Sequence, residues 1–194
     1  MMMKVQQPPD PWQEVRTANG FAADEVISAL QKSIRRGLLE NAVLLGWEMY
    51  FTSEALEEKL WSRLSVISVE DIGFGNRQAP VLVETLYRQH ERHERPSGDR
   101  FLFAAHAIRL LATSTKDRTS DDLVNWAKHS VALGERLPEI IDVALDMHTR
   151  RGQEMGRDYR FFMEEASRVV PEIADKDQTW RDWIIDALDK GKLE

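Results

Sequence analysis

Leu56, Leu60, Leu64 and Ile67 follow one another at spacings of four, four and three. That spacing lines them up on one face of an α-helix and scatters them over both faces of a strand. The same period recurs along the chain, and alternating stretches of the kind a half-buried strand needs are lacking. The expectation is an all-α protein, a multi-helix bundle of about eight helices joined by short connections.

The helices can be placed from their ends. Asp24 can cap a first helix bearing Val26, Ile27, Leu30 and Ile34, which Arg35-Arg36 and Gly37 would close. "LLENAVLLGWEMYF" is apolar on more than one side, so it is expected to be the most buried helix, with Trp47 and Tyr50 filling volume. Ser53 is an N-cap for the Leu56 helix, whose end falls near Glu70 or Asp71. Val81, Leu82, Leu86 and Tyr87 mark a fourth helix, and "HERHERPSGDR" a solvated loop or helix end. Phe101, Phe103, Ala104, Ala107, Ile108 and Leu111 mark a fifth. Thr119 or Ser120 can cap a helix holding Leu123, Val124, Trp126 and Ala127. Pro138 suits the first turn of a helix with Ile140, Ile141, Ala144 and Leu145. Phe161, Phe162 and Val169 mark a further segment, and Trp180, Trp183, Ile184 and Leu188 the last. Pro8, Pro9 and Pro11 with the Asn19-Gly20 turn make residues 1–23 a flexible N-terminal tail, or less simply a docking peptide centred on Trp12. Residues 24–173 then form the helical domain, and 174–194 an amphipathic helix packing on it.

Composition narrows the function. The chain has 194 residues and no cysteine, which removes disulfides, thiol nucleophiles and thiolate metal sites. No apolar run reaches the length of a membrane span, and "MMMKVQQPPDPW" has no secretory apolar core, so a cytoplasmic protein without membrane partners is expected. The net charge of −7 opposes non-specific nucleic-acid binding, which draws on cations displacing phosphate counterions.

The segment "SVISVEDIGFGNRQAP", Ser65 to Pro80, holds the residues most open to a chemical reading. A P-loop needs a preceding strand and a trailing Lys-Ser/Thr, and a dinucleotide loop a third glycine; neither is met. A helix corner accounts for more. Gly73 can take positive φ and stop the helix, Gly75 can do the same, and Asn76 can cap the next helix. Glu70 and Asp71 could be a catalytic pair, but neighbours on a helix diverge by about 100°. The favoured role is structural, one acid reaching a backbone amide or an arginine to pin the corner.

This same stretch resembles a known family. "SVEDIGFGNRQAP" is similar to the A-S-E-D-I-G signature in the C-terminal region of the MgsA/RarA family of replication-associated AAA+ ATPases. "VISALQKSIRRGLLENAVLLGWEMY" is similar to that family's I-S-A-L-H-K-S-x-R segment, with Ser28, Leu30, Lys32 and Arg35 at matching positions. "AAHAIRLLATSTKDRTSDDLVNWAKH" resembles its helix, polar turn and helix, although Thr115-Lys116-Asp117-Arg118 departs from the usual P-K-S-N. Toward the end His148, Gly156, Tyr159 and Pro171-Glu172 match, while Asp158 replaces a glycine and a Pro-His-Asp piece is lost. The likeness spans residues 24–173 and is strongest from Ile27 to Gly73. It implies a fold like the clamp-loader collar, a role in oligomerisation, commonly as tetramers, and a setting in DNA replication, recombination and repair. The family's ATP site belongs to an AAA+ module whose G-x-x-x-x-G-K-[ST] motif this sequence lacks.

Other constellations are weaker. His90 and His93 lie three apart, but Arg92 and Arg95 beside them would repel a cation, so no metal site is expected. His106 reads as a core or interface residue, and His148 as a packing one. Candidate DNA or partner contacts are Arg109, Lys116 and Arg118, then Arg150, Arg151, Arg157 and Arg160 beside Tyr159, Phe161 and Phe162, because arginine among aromatics can hold a single strand. Lys32, Arg35 and Arg36 are further cations of this kind. Trp180 and Trp183 either close the core or form a partner patch. The leading expectation is a non-catalytic oligomerisation module without cofactors, its partner a copy of itself or a separate AAA+ ATPase. The structural signature would be Ser28, Leu30, Lys32, Arg35, Glu70, Asp71, Gly73 and Gly75. Alternatives are a DNA-binding accessory subunit and, more remotely, a small hydrolase using Glu70 or Asp71.

Overall fold

The computed structural model describes residues 10–193. Among these every regular element is helical, and the only extended pairing is an isolated Arg16–Ala22 bridge. The chain divides into two compact units at Leu133/Gly134. The sequence expectation of one domain over 24–173 differs from this. Gly134 has φ +71° and the stretch around Pro138 is irregular, with only a 3-10 turn at Asp142–Ala144 where the sequence pattern suggests a helix.

The first unit contains α1 (Ala23–Arg35), α2 (Leu39–Thr52), α3 (Glu54–Ile67), α4 (Ala79–His90), α5 (Gly98–Thr113) and α6 (Thr119–Ala132). Helix α1 puts Val26, Ile27, Leu30 and Ile34 into the core and ends as expected at Gly37, φ +70°, with Leu38 N donating to Ser33 O at 2.9 Å. Its start has no side-chain cap; Ala22, not Asp24, holds that position. Ser53 caps α3 by accepting from Leu56 N at 3.2 Å. The α3 stripe Leu56, Leu60, Leu64 and Ile67 is fully buried, and each such side chain contributes about 1.5–3 kcal/mol relative to exposure. Gly46 of α2 allows close approach of α5, since a Cβ there would lie 2.4 Å from Ile108 Cδ1.

Residues 10–22 differ from the expected tail, whose first nine residues lie outside the described region. A 3-10 turn at Pro11–Glu14 lays Trp12 against the core, and the 16–22 turn clasps α2. Ala18 N donates to Thr52 Oγ1 at 3.0 Å, and Asn19 N to Glu48 Oε1 at 2.9 Å. Proline excludes helix interiors, not attachment by side chains.

Three further differences share one cause, that periodicity reads apolar residues only. Helix α4 turns Ala79, Val83 and His90 inward and leaves Val81 and Leu82 exposed. Helix α2 buries Ala42, Gly46, Met49 and Tyr50 but exposes Leu44, Trp47 and Phe51. Helix α6 buries only Ser130, with Leu123, Val124 and Trp126 exposed. His106 is likewise exposed.

The second unit holds α7 (Arg150–Glu154), α8 (Tyr159–Phe161) running into a π-helical turn at Phe162–Ala166, and α9 (Thr179–Asp189). Met163, Ala187 and Leu188 are buried there, and Arg160 pairs with Asp189 at 2.9 Å. Trp180 and Trp183 are exposed.

Candidate functional site

The chain leaves α3 through a π-helical turn, Ser68–Ile72, and turns at Gly73 with φ +48°. Adjacent side chains still diverge on this turn, and it is two arginines, each spanning both acids, that bring them into one network. Both carboxylates reach the same two guanidinium groups. Arg118 Nη1 lies 2.6 Å from Asp71 Oδ1 and 3.1 Å from Glu70 Oε1. Arg35 bonds Asp71 Oδ1 through Nε and Glu70 Oε1 through Nη2, the latter at 3.1 Å. Gln31 Nε2 donates to each acid at 2.9 Å. Arg63 donates to Gln31 Oε1 and stands 3.9 Å from Glu70 Oε2.

The glycines serve the approach of the 115–117 segment. Asp117 N donates to Asp71 O at 3.0 Å, and Phe74 N to Asp117 Oδ2 at 3.1 Å. A Cβ on Gly73 would lie 2.5 Å from Asp117 O, and one on Gly75 2.3 Å from Thr115 O. Gly75 does not adopt positive φ, contrary to expectation; lack of room, not backbone conformation, calls for glycine there. Asn76 Oδ1 accepts from Gln78 N at 3.2 Å, but Asn76 lies two residues before the N-cap position, which Gln78 holds, so it does not cap α4.

Asp71 is 0% exposed. Burial pushes its carboxyl up, but hydrogen bonds from Arg35, Gln31 and Arg118 outweigh it and hold the group below its ordinary 3.8. Above Asp71 lies a cleft of about 560 Å³ lined by Ser28, Lys32, Arg35, Lys59, Arg63 and Arg118, with Asp10, Asp24 and Glu70. The structure therefore brings together Ser28, Lys32, Arg35, Glu70, Asp71 and Arg118 from three separated stretches. Leu30, between them in sequence, is in the core instead.

The remaining candidates are dispersed. Lys116 Nζ caps α5, donating to the carbonyls of Leu111, Ala112 and Ser114, and its burial pushes the ammonium pKa down against the charge of Asp71. Arg109 is exposed on α5. In the second unit Arg150 pairs with Glu154, Arg160 with Glu164, and Arg157 with Asp142 while covering the Phe161 ring at 4.3 Å. Arg151 is exposed, and Tyr159 stacks on Phe162.

A second charged cluster has no counterpart among the sequence expectations. Glu57, buried on α3, receives Arg100 Nε at 2.7 Å, with Arg95 Nη1 3.2 Å and His90 Nε2 3.4 Å away. Far from lying in a wet loop, His90 is 0% exposed. Burial pushes the Glu57 carboxyl up, but His90, Arg100 and Arg95 outweigh it and hold it below 4.5. Nothing in the sequence marks this cluster, because each member reads alone as a solvated charge. Among the described residues no group of three or more His, Cys, Asp or Glu side chains could hold a metal, and no helix is long and apolar enough to cross a membrane.

Glu57 and Asp71 give an acid-sensitivity prediction. A carboxyl whose folded pKa is depressed adds stability that is present above its unfolded value and lost as pH falls through the folded one. Unfolding midpoints in urea are expected to hold near neutrality, then fall progressively below about pH 4.5 as the two carboxyls protonate. A midpoint unchanged down to about pH 3 would overturn the assignment.

In comparisons with known proteins, neither a family profile nor a curated sequence matches the chain.

Proposed function

We propose that this chain is a non-catalytic assembly module that holds copies of itself together through the outer face of α2. The supporting observation is the stripe Leu44, Trp47 and Phe51, at i, i+3 and i+7 of an ordered helix, exposed by 67%, 43% and 61%. Phe51 stacks on Trp47 at 6.0 Å, and Phe101 meets the same indole edge-on at 4.9 Å. Large aromatic side chains already held in place lose little freedom on docking and commonly anchor interfaces. Contiguous exposed apolar surface marks such sites. This agrees with what the MgsA/RarA resemblance implies, a collar-like oligomer in replication or repair. The hydrolase reading is disfavoured, since Asp71 is buried and both acids are engaged by arginines.

Static light scattering at two concentrations about tenfold apart tests this. The expected mass is a multiple of 22.4 kDa, with the Trp47→Glu, Phe51→Glu double variant at the single-chain mass. A wild-type chain that stays monomeric at both concentrations would refute the reading.

A further inference from the structure

We infer that the cleft above Asp71 is a binding site for a phosphate group. This goes beyond the assembly reading and does not depend on it. Five cationic side chains, Lys32, Arg35, Lys59, Arg63 and Arg118, line the cleft against three acids, Asp10, Asp24 and Glu70. Asp71 behind the lining and Asp121 on Arg118 Nη2 bring the acids to five, so in a chain that carries −7 overall the charge is locally balanced here.

The cations are also held with donors to spare. Asp71 lies behind Arg35 and Arg118 and fixes both guanidinium groups from the buried side. Arg35 uses Nε and Nη2 on the two acids, leaving Nη1 without a partner among the described residues. Arg63 uses Nη2, leaving Nε and Nη1. Lys32 Nζ meets only Ser28 Oγ, at 2.6 Å, and neither Lys32 nor Lys59 has an ion pair among the described residues. Tetrahedral oxyanions are recognised by several converging N–H donors, and guanidinium groups already fixed lose less freedom on forming those bonds. A metal cation would meet five like charges in the same space. Asp10, Asp24 and Glu70 oppose a long run of phosphates, so the site suits one or two phosphate groups. Those groups belong either to a small phosphorylated molecule or to a nucleic-acid strand.

Titration calorimetry on the full chain tests the inference with pyrophosphate and, separately, a short single-stranded oligonucleotide. The test variant is Lys32→Ala with Arg63→Ala, because neither residue holds Asp71. Arg109→Ala, on the exposed side of α5, serves as control. Pyrophosphate is expected to bind the wild-type chain and the control alike, with affinity reduced at least about tenfold in the double variant. If the double variant loses its helical circular dichroism, Lys32→Gln alone takes its place and is expected to weaken binding in the same direction. An oligonucleotide that competes with pyrophosphate and shows the same variant dependence identifies a strand as the phosphate source. Pyrophosphate binding without such competition identifies a small molecule. Absence of pyrophosphate binding, or binding that the Lys32 and Arg63 changes leave untouched, overturns the site. Neither result bears on the mass measured by light scattering, so the two readings fail separately.

Discussion

Asp71→Asn is expected to destabilise the first unit by about 3 kcal/mol. The carboxylate is fully buried and engages two arginines and a glutamine. Removing the charge leaves Arg35 and Arg118 facing a neutral amide; with its oxygen kept toward them, in place of Oδ1, its N–H₂ meets the Gln31 amide donor against donor. Loss of one partner of a buried pair typically costs about 3–5 kcal/mol; the lower end applies here because both guanidinium groups keep partial contact with water. The neighbouring Glu70→Gln, at a side chain 23% exposed, is expected to cost about 1 kcal/mol, because water can replace part of what is lost. Urea unfolding of the two variants side by side distinguishes the roles. Equal costs, or an Asp71→Asn variant within about 0.5 kcal/mol of wild type, would show that Asp71 does not anchor the corner.

Gly75→Ala is expected to cost about 3 kcal/mol, although alanine there meets no conformational penalty. The added methyl would sit 2.3 Å from Thr115 O and 2.7 Å from its carbonyl carbon, and backbone cannot rotate aside as a side-chain tip can. Relief requires the 115–117 segment to move away from the corner, which draws Arg118 off Glu70 and Asp71. Gly20→Ala provides the contrast. Its φ is +83° but no atom lies within 4 Å of the new Cβ, so only the left-handed backbone penalty of about 1–2 kcal/mol applies. A Gly75→Ala cost no larger than that of Gly20→Ala would contradict the close approach. Combined with Asp71→Asn, the Gly75→Ala change is expected to add less than its full cost, since both release the same arginine; strict additivity would separate the two contacts.

The local outcomes were legible in sequence. The α3 stripe, the Ser53 cap and the stops at Gly37 and Gly73 each depend on neighbours within a few residues, so spacing and residue type were enough to place them. That a corner lay between Glu70 and Asn76, with an acid pinned by arginine, could be anticipated on the same grounds. Which arginines do so could not, since Arg35 and Arg118 lie 36 and 47 residues from Asp71. The reason for Gly75 was also hidden, because the atom it avoids belongs to Thr115.

By itself, then, the sequence determined the helical class and the helix ends at Gly37, Ser53 and Gly73, because backbone hydrogen bonding and capping are satisfied there over one or two turns. Only the tertiary structure decided which charges are buried and which apolar residues are not. His90 and Glu57 lie inside because Arg95 and Arg100 reach them there. Leu44, Trp47 and Phe51 lie outside because a helix apolar on several sides can turn only one of them to a single core.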